Sequence, residues 1–186
     1  MFDYRNTADL ILSEIKDTLR RTPVEEIDRL VDALMGAEKV FIFAVGRVFL
    51  SLQCLGKRLG HVGIDCQIVG AVNEKPIGPN DLMLIASGSG ESKLPAEIAR
   101  IAKSKGAKLA LITSARESTI KSMSEIAVHL PSPTKNDASA GTASIQSMST
   151  LFDQSLHILS DVVTMAMQDR KGLENAELWK YHANLE

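Results

Sequence analysis

The 186 residues are 45% hydrophobic and 24% charged, which suits one globular domain with a sizeable core and excludes disordered and fibrous classes. The formal net charge of −2 gives no sign of binding to nucleic acid or to an anionic membrane. The longest apolar runs, 40–45 and 82–86, fall far short of the roughly 20 residues that span a bilayer. With no apolar signal region in Met1-Phe2-Asp3-Tyr4-Arg5, the expectation is a cytoplasmic protein.

Leu10, Ile11, Ile15 and Leu19 recur at helical spacing and predict a first amphipathic helix over 4–20. Thr22-Pro23-Val24-Glu25 reads as a capping box with proline at the first helical position. Ile27, Leu30, Val31 and Leu34 then supply an apolar face, and Gly36 is placed to end the helix. Residues 40–45 are apolar throughout and β-rich, as a strand buried on both faces requires. Gly46-Arg47 follows, then a helix with Leu52, Leu55, Leu59 and Val62 on one stripe, closed by Gly63. Further strands are expected at 65–69, 82–86, 108–112 and 126–130. Between them lie a loop at 70–80, a helix ending near Gly106 and a short helix at 118–123. The turn-rich stretch 131–141 reads either as a mobile loop over a site or as an exposed connector. A long helix is expected over 143–168, with Ile145, Met148, Phe152, Leu156, Leu159 and Val163 facing inward.

Strands alternating with helices predict βαβ units. The expected fold class is α/β, a three-layer αβα sandwich around a five-stranded parallel sheet of flavodoxin-like order. Residues 1–186 form a single domain on this reading, with N-terminal helices over 1–37, the parallel core over 38–130, and the long helix and tail over 143–186. Ligands in such sheets bind beyond the carboxyl ends of the strands. Three polar strand ends are due to meet there: Gly46-Arg47, Ser87-Gly88-Ser89-Gly90-Glu91-Ser92, and Thr113-Ser114.

The second of these carries the main chemical signal. A strand, a Gly/Ser turn and a helix aim backbone N–H groups at an anion, and Ser87, Ser89 and Ser92 add hydroxyl donors. Alone, such a loop also fits a ligand-free turn. Cys54 and Cys66 form no C-x-x-C pair, and no two of His61, His129, His157 and His182 share metal-ligand spacing, so neither a disulfide framework nor a metal site is expected. Read in isolation, Asp153 is a solvated surface carboxylate, His182 a surface histidine, and His61 a packed or capping histidine. An aromatic content of 4% with one Trp argues against a flavin carrier of the same strand pattern.

Several stretches carry a resemblance. Ser87-Gly88-Ser89-Gly90-Glu91-Ser92 is similar to the phosphate loop of the sugar isomerase (SIS) domain family. Gly46-Arg47 with Lys57-Arg58-Leu59-Gly60-His61-Val62-Gly63, the helix stretch Ile145-Gln146-Ser147-Met148-Ser149-Thr150-Leu151-Phe152-Asp153-Gln154, and the ending His182-Ala183-Asn184-Leu185-Glu186 resemble its 6-phospho-3-hexuloisomerase branch. The chain departs from that branch at Val48, where the family pattern has serine, and at Asp153, where it has glutamate.

The resemblance implies a cofactor-free isomerase that interconverts 3-hexulose 6-phosphate and fructose 6-phosphate through an enediol. An isomerase for another phosphosugar and a non-catalytic phosphosugar-binding protein are the alternatives. By the same resemblance, Ser87, Gly88, Ser89 and Ser92 hold the substrate phosphate, and the meeting of the three polar strand ends adds Gly46, Arg47, Thr113 and Ser114 as expected substrate-binding residues. Asp153 is the implied general base, and His61 or His182 assists proton transfer at oxygen. The implied assembly is a homotetramer whose sites take residues, His182 among them, from adjacent chains.

Overall fold

The computed structural model describes residues 1–133 and 144–185. The element order is α1 (Tyr4–Arg20), α2 (Val24–Gly36), β1 (Val40–Phe43), α3 (Arg47–His61), β2 (Cys66–Ile68), β3 (Leu82–Ala86), α4 (Lys93–Ser104), β4 (Lys108–Thr113), α5 (Thr119–Met123), β5 (Ile126–His129), α6 (Thr150–Lys171) and α7 (Asn175–Leu178), followed by a single 3₁₀ turn, Trp179–Tyr181. All strand pairs are parallel and the sheet order is β2-β1-β3-β4-β5, the predicted flavodoxin-like arrangement.

The apolar strands supply two cores. Leu82, Leu84 and Ala86 of β3 point into one, with Leu30, Leu52, Leu59, Phe152 and Leu156 from α2, α3 and α6. Met83 and Ile85 point into the other, with Ala96, Ala99 and Ala102 of α4 and Ile120 of α5. Alternation across the pleat therefore sends successive residues of one strand to opposite faces, each covered by helices, giving three layers.

Local chemistry alters several expected boundaries. Thr22 Oγ1 donates to the carbonyl of Thr18 at 3.1 Å, so no capping box forms and Pro23 is the N-cap of α2. Gly36 is the last helical residue, without a left-handed cap, and Ala37 after it is extended. Gly63 does close α3, at φ +80°. The largest change is at α6, which begins at Thr150 instead of near 143. Met148 stands in the left-handed region at φ 57°, a conformation uncommon for any residue but glycine, and it interrupts the helix register. As a result Ile145 and Met148, expected inside, are 56% and 75% exposed, whereas Phe152, Leu156, Leu159 and Val163 are buried as expected. Most of the turn-rich stretch 131–141 lies outside the described residues. Among those described, no helix is long and apolar enough to cross a membrane.

Candidate active site

β1 and β3 are neighbours whose crossovers leave in opposite directions, β1 towards β2 through α3 and β3 towards β4 through α4. A crevice opens beyond the carboxyl ends of such strands. Here it is a cavity of about 600 Å³, lined by Val45 to Val48 after β1, by Ala86 to Ser89, Glu91 and Ser92 after β3, and by Ser147 to Thr150 and Asp153 at the start of α6. That volume suits a small organic ligand.

Gly46 makes the first turn, at φ 61° and ψ −144°, a combination that suits only glycine, and Arg47 then opens α3. In the second loop the Ser87 N–H extends the β3–β4 ladder by donating to the Ile112 carbonyl at 3.0 Å. The Gly90 N–H folds back onto Ser87, 3.1 Å from both its carbonyl and its Oγ. Gly90 lies at φ +65°, and a Cβ there would sit 2.1 Å from Ser118 Oγ. The Gly88 carbonyl accepts from Ser114 N–H at 3.0 Å and from Thr113 Oγ1 at 3.1 Å. The Glu91 carboxylate accepts from Thr119 N–H at 2.6 Å and Thr119 Oγ1 at 2.7 Å, and these bonds, the hydroxyl's first, hold it below the usual carboxylate range.

Ser92 is the N-cap residue of α4, yet its side chain makes no capping bond. Its hydroxyl is touched only weakly by Ser87 Oγ, at 3.4 Å. The first N–H groups of α4 have no partner within the helix. A polar turn, unspent hydroxyls and a helix N-terminus together favour an anion at this wall of the cavity.

The opposite wall is built from α6. Asp153, expected at the surface when read alone, is only 4% exposed, because the first turn of α6 packs on α3. Its carboxylate faces Arg47 in a bidentate pair, Arg47 Nε to Oδ2 at 2.7 Å and Nη2 to Oδ1 at 3.3 Å. The arginine side chain is 67% exposed and the aspartate side chain 6%, so the pair runs from solvent to the cavity floor. A buried carboxylate, an exposed cation and the polar loop at the N-terminus of α4 then share one cavity. Such a set can hold a phosphorylated substrate, accept a proton from carbon and stabilise charge on oxygen. Among the described residues no three His, Cys, Asp or Glu are grouped to hold a metal ion.

The remaining predicted residues lie elsewhere. Thr113 and Ser114 do not line the cavity. Thr113 Oγ1 is spent on the Gly88 carbonyl, and Ser114 Oγ lies 2.7 Å from Ser132 Oγ, so both brace the loop from behind. His61 ends α3 about 20 Å from Arg47 at the helical rise of 1.5 Å per residue. It is buried, its Nε2 has no hydrogen-bond partner among the described residues, and its ring stacks on His182 with centroids 5.1 Å apart. Burial first, then the neighbouring His182, Lys57 and Arg58, push the His61 imidazole below its ordinary pKa. Trp179 also packs against His182, with centroids 4.9 Å apart, and the Tyr181 ring covers Gly63, so the C-terminal tail docks on α3 of its own chain. Within one chain, neither histidine lines the cavity.

Sequence reasoning passed over the wall at Ser147, Met148, Ser149 and Thr150 because it placed these residues inside a helix. The cluster of three hydroxyl residues, typical of a helix start, was the available signal. Val48 was marked only by its departure from the family's serine, and Val45 offered no signal.

Comparison with known proteins gives the family of the chain. Residues 34–158 match the SIS domain family. The chain is 32% identical over 176 residues to the 3-hexulose-6-phosphate isomerase of Bacillus subtilis, covering 95% of both chains. It is 31% identical over 184 residues to the 3-hexulose-6-phosphate isomerase of Mycobacterium gastri, covering 99% of this chain and 92% of the other. Among solved structures it resembles a hypothetical protein of Methanococcus jannaschii whose structure infers a molecular function of 3-hexulose-6-phosphate isomerase. The TM-score is 0.84 at 25% identity, over 97% of this chain and 99% of that one.

Proposed function

Since the chain belongs to the SIS domain family, we propose that it is a phosphosugar isomerase that interconverts 3-hexulose 6-phosphate and fructose 6-phosphate through an enediol. The observation that carries this reading is the single cavity that joins the Ser/Gly loop after β3 to the buried carboxylate of Asp153.

In this reading the substrate phosphate sits against Ser87, Gly88, Ser89 and Ser92 at the N-terminus of α4, where hydroxyls and backbone N–H groups meet it without a metal. Asp153 takes the proton from C2 of the 3-ketose. The C2–H electron pair forms the C2–C3 double bond, and the C3 carbonyl oxygen takes up the displaced pair. Arg47, with Gly46 at its back, stabilises that oxygen as its charge grows. A proton moves from O2 to O3, Asp153 returns its proton to C3, and the carbonyl now lies at C2. The chemistry requires no redox cofactor, because one carbon is oxidised as its neighbour is reduced. His182, the less buried of the stacked pair, serves the proton transfer at oxygen from an adjacent chain with His61 packed behind it, in a cytoplasmic homotetramer.

The test is an isomerase assay on a panel of ketose and aldose phosphates. The expected result is turnover of fructose 6-phosphate to the 3-ketose, with other sugar phosphates at least about tenfold slower. Turnover of a different member alone would reassign the substrate. A second reading, a phosphosugar-binding protein without catalysis, is favoured by one observation: Asp153 is already engaged bidentately by Arg47. Tight binding across the panel with no turnover would establish it.

A further inference from the structure

The wall of the cavity contributed by residues 147–149 precedes α6, and the helix holds only its downstream side, where Thr150 and the Asp153 N–H bond the Ser147 and Ser149 carbonyls. Upstream of it, the chain is held by a residue of α1. One carboxylate, that of Glu14, accepts from three consecutive residues: Ser144 Oγ at 2.7 Å, Ile145 N–H at 2.7 Å and Gln146 Nε2 at 3.2 Å. Ser144 Oγ also accepts from Gln146 N–H at 3.0 Å, so the three residues form one knot around the carboxylate. Burial draws Glu14 upward, but the bonds from Ser144, Ile145 and Gln146 outweigh it and leave the carboxyl below its ordinary range.

Two residues further on, Met148 adopts φ 57°. On its far side Thr150 closes the start of α6, with its N–H 3.3 Å and its Oγ1 2.8 Å from the Ser147 carbonyl. A non-glycine residue in that conformation persists only where the surroundings hold it from both sides. Glu14 is the holder on the upstream side and the first turn of α6 on the downstream side.

We propose that Glu14 is a positioning residue for the active site. It fixes the strand of chain from Ser144 to Ser149, so that Ser147, Met148 and Ser149 form a rigid wall against the bound sugar phosphate. This rests on the phosphosugar reading given above. Glu14 touches no part of the cavity itself, so its effect passes wholly through that segment. Asp153 and Arg47 are held separately by the packing of α3 on α6. Loss of Glu14 therefore loosens substrate binding more than it slows the proton transfer.

The experiment compares wild type, Glu14→Gln and Glu14→Ala as full-length protein. Steady-state kinetics with fructose 6-phosphate, calorimetric binding of the same sugar phosphate and thermal unfolding are measured for each. Glu14→Gln keeps the shape but places an amide donor against the Ser144 and Gln146 donors. The expected result is a rise of about tenfold in KM and Kd, a kcat within about threefold of wild type, and a melting temperature close to wild type for Glu14→Gln. Gln146→Ala added to Glu14→Ala should weaken binding no further, because the two act through one knot. An unchanged KM and Kd with a lowered melting temperature would overturn the proposal and leave Glu14 a stability residue only. Full additivity of the double variant would overturn it as well. If wild type binds the sugar phosphate but does not turn it over, the isomerase reading fails, while the Kd comparison still decides the role of Glu14. If wild type binds none, both fall.

Discussion

Arg47 and Asp153 stand at the first turns of two different helices, 106 positions apart, and meet side by side with Nε 2.7 Å from Oδ2. The carboxylate is buried and the guanidinium is mostly exposed. The aspartate therefore depends on this partner, while the arginine is free to change partners when a substrate oxygen arrives. Replacing Arg47 with Ala removes both the charge on oxygen and the counter-charge of a buried group. We expect kcat to fall about 10²-fold and stability to fall by about 1–2 kcal/mol, less than for a fully buried pair because water reaches the arginine. Kinetics and urea denaturation measure the two effects, and a variant with wild-type turnover would remove Arg47 from the chemistry.

Asp153→Asn keeps the shape of the side chain and removes the base. Turnover should drop by about 10³-fold, with the Kd for fructose 6-phosphate within about threefold of wild type. Asp153→Glu should remain active. If the site borrows His182 from a neighbouring chain, co-refolding Asp153→Asn with His182→Ala restores part of the activity, because some sites then hold both native residues. Mixtures that stay inactive would remove His182 from the site that holds Asp153, since within one chain His182 lies at the far end of α3 from Arg47.

Gly90 is the tightest point of the anion loop. A side chain there meets Ser118 Oγ at 2.1 Å and is strained at φ +65°. Gly90→Ala should displace the loop and weaken binding of sugar phosphates and of inorganic phosphate by at least about tenfold, with the α/β fold retained by circular dichroism. Ser89→Asp should abolish phosphosugar binding by like-charge repulsion. Calorimetry showing unchanged affinity in both variants would move the phosphate elsewhere.

The histidines predict a pH dependence of stability. Burial is the leading cause of the lowered pKa of His61 and of His129. A histidine whose pKa is lower folded than unfolded binds protons more readily unfolded. Its contribution is fully present above the unfolded value of 6.5 and declines as pH falls through and below it. The lowered carboxyls, Glu14, Asp65, Glu91 and Glu125, act only below their ordinary values of 4.5 for glutamate and 3.8 for aspartate. Urea unfolding at about pH 5.5 and about pH 7.5 thus isolates the histidines. Wild type should be less stable at the lower pH, and the His61→Asn, His129→Asn double variant should show a smaller difference. An undiminished difference would assign the effect to other groups.

The succession of apolar runs and helical stripes by itself determined the helices, the five strands and a parallel sheet covered on both faces, because period and burial are local properties of side chains read at spacings of two or of 3.6. The Ser/Gly loop after β3 was legible for the same reason: strand, tight turn and helix are consecutive in the chain. Tertiary structure alone decided what Asp153 does. No local pattern separates a surface carboxylate from one buried against α3, and its partner Arg47 is 106 positions away. It alone decided where α6 begins, since the left-handed Met148 and the Glu14 knot override the helical propensity of 143–149. It also turned Thr113 and Ser114 from expected ligands into braces for the Gly88 carbonyl and its surroundings. In each case the deciding energy is a hydrogen bond or ion pair between segments far apart in the chain, and such a bond exists only once the core has brought those segments together.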